Sequence, residues 1–396
     1  MLLSLKFIIN HSCYCFLRQI CYHYIKLSAC IITGYGIGAG VLSMPYMAAR
    51  NGVILSTLIL ILSLLASYVL HLMIAEIALK EGNGGQIISC LNRFLFRGKG
   101  KQLLTVFFFA LMAVILVTNL AAYISGAEEI IVGLLHIPSI AAKLLFYVVA
   151  ASVVLFGLKA VGVSEKIAVT VIFALIAALA AASLLNIRNP LSLSAGSLND
   201  ALAYYGLAMF AMSAFFSVPQ AVEGLDGDTK KIRKAVFLGL LNNFILILVI
   251  SVCSLLSSTE ITELAMVGWS AGIGLWAQVI GGLFTVLAML TTYWSLSLAL
   301  GGIVDDMLHT GTKISWLLAT LPSLILVLFN VAGFLDLMRT AGGLIAIIIA
   351  VMVVPAYHNA RRNVPENDLL RRSGLLLEIL IVIAYILMAV GSVVPV

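Results

Sequence analysis

Residues 33–46 read TGYGIGAGVLSMPY, inside an apolar run that begins near Leu27. Glycines stand at 34, 36, 38 and 40, and a proline at 45. In a helix interior each glycine costs about 1 kcal/mol against alanine and a proline about 3. In hydrocarbon the penalty grows, because a backbone group released by a broken helix finds no water to bond. If this run crosses a membrane, it breaks its own helix at mid-span, and such a break has to serve a purpose.

The rest of the chain places the run in a membrane. Of its 396 residues, 62% are hydrophobic and only 10% charged, with a mean hydropathy of +1.15. Soluble domains carry about 25% charged residues, so a soluble globular class is excluded. The net charge of +6 is accompanied by no RNA- or DNA-binding motif and is read by position, as a topology signal. Six cysteines at 13, 15, 21, 30, 90 and 253 are too scattered for a disulfide framework or a zinc site. Cys13, Cys15 and Cys21, with His11 and His23, fall in residues 1–27, read as a cytoplasmic or interfacial N-terminal segment with reduced thiols. No small-residue cleavage site marks it as a secretory signal. Nucleophile elbow, metal-ligand spacing and phosphate-binding loop are all missing; GNGGQ at 82–86 is not followed by Gly-Lys-Ser/Thr. The expectation is no enzyme, no cofactor, no metal and no nucleic acid.

A span needs about 20 apolar residues to cross about 30 Å of hydrocarbon. That rule predicts eleven spans, near 28–48, 53–79, 103–135, 142–158, 166–187, 200–224, 234–257, 275–304, 314–332, 337–357 and 374–395. The third and eighth are long enough to tilt or to extend beyond the bilayer. With the N-terminus in the cytoplasm, 19 of the 23 lysines and arginines fall inside, and only Arg50, Lys143, Arg188 and Arg339 fall outside. The positive-inside rule therefore predicts a cytoplasmic N-terminus and, after eleven crossings, an extracytoplasmic C-terminus in the cell membrane.

A second interruption lies in the sixth span, MFAMSAFFSVPQAVEGL at 209–225. It stands five spans after the first. Paired interrupted spans in corresponding positions of two halves point to a transporter's binding site, and an odd offset turns the halves upside down relative to each other. The expected organisation is a five-span repeat at 28–187, an inverted repeat at 188–357, and a loop plus eleventh helix at 358–396. Half-helix N-termini suit a carboxylate, and unwound carbonyls suit a cation or an ammonium group. An amino acid carries both charges. The alternative use of the glycines is close helix packing.

With both breaks placed, GIGAGVLSMPY resembles the first-helix motif of the amino acid–polyamine–organocation superfamily, which has the LeuT-type fold. The chain is most similar there to the hydroxy/aromatic amino acid permeases, the bacterial tyrosine and tryptophan transporters. AAYISGAEE at 121–129, SVPQAVEGLDGDTKKIRK at 217–234, TTYWSLSLALGGIVDD at 291–306 and AGGLIAIIIAVMVVPA at 341–356 resemble the family's third, sixth, eighth and tenth helices. The resemblance implies an all-α membrane protein with a 5+5 inverted repeat, helices 1 and 6 broken, and uptake of aromatic amino acids coupled to protons. It implies substrate contacts from Gly36, Ile37, Gly38, Ala39 and Gly40, and from Phe210, Ala211, Met212, Ser213, Phe215 and Phe216. Asn119 and Tyr123 of the third helix would add to these, and from the eighth either Tyr293 or Ser295. For Tyr123 a place in the core is the competing reading, and for Asn119 a structural hydrogen bond.

The coupling ion stays open between H+ and Na+. Sodium-coupled relatives bind the ion between helices 1 and 8, and Ala288, Thr291 and Thr292 with the carbonyls of Gly34 and Ile37 match that pattern; oxygen donors suit a hard cation. The same Ser/Thr pair also serves as glue between helices. Proton-coupled members can place a fifth-helix lysine there, for which Lys166 is the candidate. Glu129 is the motif-matching proton-relay carboxylate; Glu76, Glu128 and Glu223 are read as interfacial, and His71 as a satisfied core histidine. Phe210, Phe215, Phe216 and Tyr123 either wall an aromatic substrate, at roughly 0.5–1.5 kcal/mol per ring pair, or fill the pocket against it. The expected function is a cation-coupled symporter that imports a neutral, aromatic amino acid, as a monomer or weak homo-oligomer. The competing expectation is an amino-acid-sensing receptor subunit of the same fold, signalling through a partner.

Overall fold

The structure, a computed structural model, describes residues 24–82, 86–96, 98–262, 265–330, 348, 352–364, 366, 368–370 and 374–394. The N-terminal Cys/His segment up to His23 and most of the tenth expected span, with Arg339, lie outside the described residues.

The described chain is helical throughout. In order it forms α1 (Tyr24–Gly36), α2 (Ala39–Asn51), α3 (Val53–Gly82), α4 (Ile87–Phe94), α5 (Lys101–Leu135), α6 (Ser139–Leu155), α7 (Gly157–Leu185) and α8 (Leu198–Ala211). Then follow α9 (Ser217–Glu223), α10 (Thr229–Ser257), α11 (Ala265–Ile273), α12 (Leu275–Leu308) and α13 (Thr312–Leu328). A helix at 352–363 is α14, and α15 is Leu375–Val393. Among the described residues six of these are long and apolar enough to cross a membrane, and the bent pair at the start of the chain makes a seventh. The helices α6 and α13, of 17 residues each, are about 25 Å long, short but apolar. The helices α5 and α12, of 35 and 34 residues, reach about 50 Å and project beyond the hydrocarbon.

Lipid inverts the usual amphipathic pattern. The outer face of α3 presents Leu58, Leu62 and Leu65 at helical spacing, while its inner face buries Ser63, Ser67, His71 and Glu76. The centre of the protein is α12, which packs against α5, α6, α7 and α13. In its apolar window 78% is buried, against 33% for α5 and for α7. A second group gathers around α8, which packs on α2, α3 and α15. The turn from α2 to α3 is made by Gly52 at φ +71°; a methyl there would also lie 2.4 Å from the Ser194 carbonyl oxygen.

Both expected interruptions are present. The two parts of the first span meet at 61°, and α8 and α9 are separated by the non-helical residues Met212–Phe216. Pro45 is not the breaking residue of the first span. It lies within α2, and the interruption falls earlier, at Ile37 and Gly38. Pro219 sits in the first turn of α9, where the missing N–H costs nothing.

Candidate functional site

The first break is held open by small residues under pressure from their neighbours. Ile37 N–H still bonds to Thr33 O at 3.0 Å, and Val41 N–H to Gly38 O at 3.1 Å. Gly38 caps α2 without a side-chain hydrogen bond, so no side chain takes up the N–H groups of that first turn. A methyl at Gly38 would lie 2.6 Å from the Tyr123 hydroxyl oxygen, and one at Gly40 would lie 3.0 Å from the Phe210 ring. At Gly36 it would meet Asn243 Nδ2 at 1.8 Å. The glycines are therefore needed for close approach.

At the second break, His71 of α3 reaches across to the unwound strand. Ala214 N–H donates to His71 Nε2 at 2.8 Å, and Nδ1 stands 2.5 Å from Ser67 O. That pattern assigns the proton to Nδ1 and leaves the imidazole neutral. Its ring stacks on Phe215, with centroids 5.2 Å apart. The hydroxyls of Ser213 and Ser217 donate to Met209 O at 2.8 Å and Ala214 O at 2.7 Å, so the break is satisfied internally.

The two breaks face each other across a small enclosed cavity of about 20 Å³, room for about one water. Nine expected substrate contacts line it: Gly36, Gly38, Gly40, Asn119, Tyr123, Phe210, Ala211, Ser213 and Phe215. Tyr35 and Met388, which the sequence did not suggest, complete the wall. Ile37, Met212 and Phe216 are buried behind it, and the side chain of Ala39 lies outside the described residues. Tyr293 is not part of this wall: its hydroxyl pairs with Ser323 at 3.3 Å and its ring meets Phe146 edge-on at 5.9 Å. Asn119 Oδ1 is buried without a partner, as are both polar atoms of the Asn243 amide. Asn243 was missed because its signal, a polar residue on the buried stripe of α10, is weak beside the glycine motif.

The expected ion ligands also come together. Thr292 Oγ1 lies 3.2 Å from both Gly34 O and Tyr35 O and 3.1 Å from Ala288 O, and Thr291 Oγ1 donates to Ala288 O at 2.9 Å. Ile37, the other expected carbonyl donor, is fully buried at the break. Lys166 is half-buried and Glu129 exposed. In their place the fully buried Glu165 of α7 enters the junction. Ser295, one turn along α12 from Thr291 and Thr292, donates to Glu165 Oε1 at 2.8 Å. A methyl at Gly34 would fall 1.6 Å from Glu165 Oε2.

Two of the carboxylates read as interfacial have structural partners. Glu76 is fully buried and accepts from Arg361 Nε at 2.8 Å and from the Leu369 and Leu370 N–H groups, with Lys80 at 3.4 Å. Glu128 stands 3.9 Å from Lys143. Among the described residues no group of three His, Cys, Asp or Glu side chains could hold a metal.

Comparison with known proteins gives this geometry its family. Residues 23–392 match the tryptophan/tyrosine permease family. The chain belongs to that family. The permease is 26% identical over 360 residues to tyrosine-specific transport system 1 of Haemophilus influenzae, covering 85% of this chain and 88% of that one. It is 24% identical over 343 residues to glutamine transporter 2 of Aliivibrio fischeri, covering 82% and 86%. Among solved structures it superposes on Mhp1, a nucleobase-cation-symport-1 family transporter in a closed conformation, with a TM-score of 0.68 at 12% identity over 93% of this chain and 90% of that one. The manganese transporter of Eremococcus coleocola gives 0.63 at 15% identity over 95% and 86%. These likenesses fix the fold of the permease as the LeuT type, an all-α bundle of two inverted five-helix repeats with an added eleventh helix. It is a multi-pass membrane transport protein.

Proposed function

We propose that this permease is a cation-coupled symporter that imports a neutral, aromatic amino acid by alternating access. One observation carries the reading: two broken spans meet at a single enclosed cavity walled by Tyr35, Tyr123, Phe210 and Phe215. The substrate carboxylate binds the N–H groups of the first turn of α2, at the positive end of its dipole. The ammonium group binds carbonyls at the C-terminal end of α8, and the ring stacks among the aromatic walls. All of these groups come from one chain, which acts as a monomer or a weak homo-oligomer. The tyrosine-specific relative supports the aromatic class; the glutamine transporter is similar in sequence at a comparable identity. A cavity with room for one water is far smaller than any amino acid, so binding and release require the two halves to separate on one side and then on the other. The basic loops lie on the cytoplasmic side, and the coupling ion is a proton or sodium.

The test is uptake of radiolabelled tyrosine, tryptophan and leucine into proteoliposomes under separately imposed proton and sodium gradients. Concentrative uptake of an aromatic substrate under one gradient is expected. Ser213→Trp, which fills the cavity from the second break, should abolish it while sparing membrane insertion. Binding without uptake under either gradient would replace this reading with that of a sensor.

A further inference from the structure

We propose that Glu165 of α7, rather than Lys166 or Glu129, is the residue that carries the coupled proton. This rests on the symport reading above, with a proton as its ion, and names the carrier residue. The carboxyl group is fully buried, at the point where α1 ends against α7 and α12. Oε1 is satisfied by Ser295. Oε2 is buried with no hydrogen-bond partner, and it occupies the space that any side chain larger than glycine would need at residue 34. Among the described residues, none of the ion pairs involves it.

The neighbours suit a proton at this residue. A hard cation needs several converging oxygens. Here the hydroxyls of Thr291 and Thr292 lie 2.9–3.2 Å from the carbonyl oxygens of Gly34, Tyr35 and Ala288 and share their two protons among them. On this face Oε2 is the carboxylate oxygen left unmet, and a single O–H bond completes it. An ionised carboxylate without a counter-charge is expensive to enclose, and protonation removes that charge when the site closes. The groups facing this junction leave the role to Glu165. From α1 the facing group is Cys30, with Lys26 a turn away, and α7 itself adds Lys166. From α12 the facing group is Ser295. From α10 they are the neutral amides Asn242, bonded to Thr33 Oγ1 at 3.1 Å, and Asn243. Lys143 of α6 is held at the far end by Asn330 at 2.8 Å.

In the cycle, a proton from external water bonds to Oε2 while the substrate binds, and the neutral acid is enclosed. When the halves open to the cytoplasm, water reaches the acid and the O–H bond breaks. The proton leaves with the substrate, and the carboxylate is restored for the return.

The test uses the full chain in sodium-free proteoliposomes with a pH-sensitive dye trapped inside. External tyrosine should acidify the lumen of wild-type vesicles. Glu165→Gln should lose accumulation driven by the proton gradient, while exchange of internal unlabelled for external labelled tyrosine remains measurable and no longer varies with pH. If Glu165→Gln does not fold, Glu165→Asp, which keeps a titratable group, should retain the substrate-linked acidification. Accumulation by Glu165→Gln under a proton gradient, or a wild type that concentrates tyrosine only with sodium, overturns the proposal and leaves the transport reading standing. A wild type that binds tyrosine but moves it under neither gradient removes both.

Discussion

A methyl group at residue 34 has nowhere to go, because the carboxylate of Glu165 already fills its position. Overpacking of this kind costs typically 1–3 kcal/mol, and here the energy falls on the junction of α1, α7 and α12. Gly34→Ala should therefore insert and purify normally but lose concentrative uptake, a result that size-exclusion profiles and transport assays read separately. The glycines announced themselves in the sequence, because four of them in seven apolar positions contradict a helix. Glu165 did not, because it stands beside Lys166 and the lysine drew attention as the cation substitute. The signal was nonetheless present in the spacing. Glu165 shares the buried stripe of α7 with Val161, Gly162, Ala168, Val169 and Ile172, positions three and four apart on one helix face, and Lys166 falls off that stripe. Tyr293 illustrates the opposite error. A family position pointed to substrate, whereas its ring and hydroxyl are spent on Phe146 and Ser323.

At the scale of the helix, breaks were legible and their supports were not. The sequence marks Met209–Leu225 as unable to run straight, but nothing local says that a histidine 143 residues earlier will hold the unwound strand. His71→Ala would leave the Ala214 N–H buried without a partner, at a cost of about 1–3 kcal/mol. Weaker binding of labelled tyrosine by the purified protein, with unchanged yield, is the expected result. Equal affinity in that assay would show that the break keeps its shape without the imidazole. The first span teaches a related lesson about proline. Pro45 looked like the helix breaker, but α2 accommodates it, and the interruption belongs to residues that must let Tyr123, Asn243 and Phe210 come close.

At the scale of the whole molecule, hydropathy marked the six long apolar helices and the bent first pair among the described residues, whereas long-range ionic contacts had no local trace. Glu76, Lys80, Arg361 and Asp368 close a cluster that joins α3 to the chain after α14. Glu76→Leu leaves Lys80 and Arg361 with Asp368 as their counter-charge, so the cost stays below the roughly 3–5 kcal/mol of a buried charge left unpaired. A lower melting temperature in detergent should report it. The eleventh helix holds another long-range relation. It crosses α8 where a methyl on Gly391 would meet Leu202 O at 2.1 Å, and it delivers Met388 to the cavity and Tyr385 to the Phe215 ring, 5.9 Å away. Both side chains come from a helix that belongs to neither repeat. On the alternating-access reading proposed above, the moving halves can thus keep their shared geometry while a third party shapes the compartment. Cargo preference can then drift through α15 in descendants of this gene without rebuilding the machinery that moves.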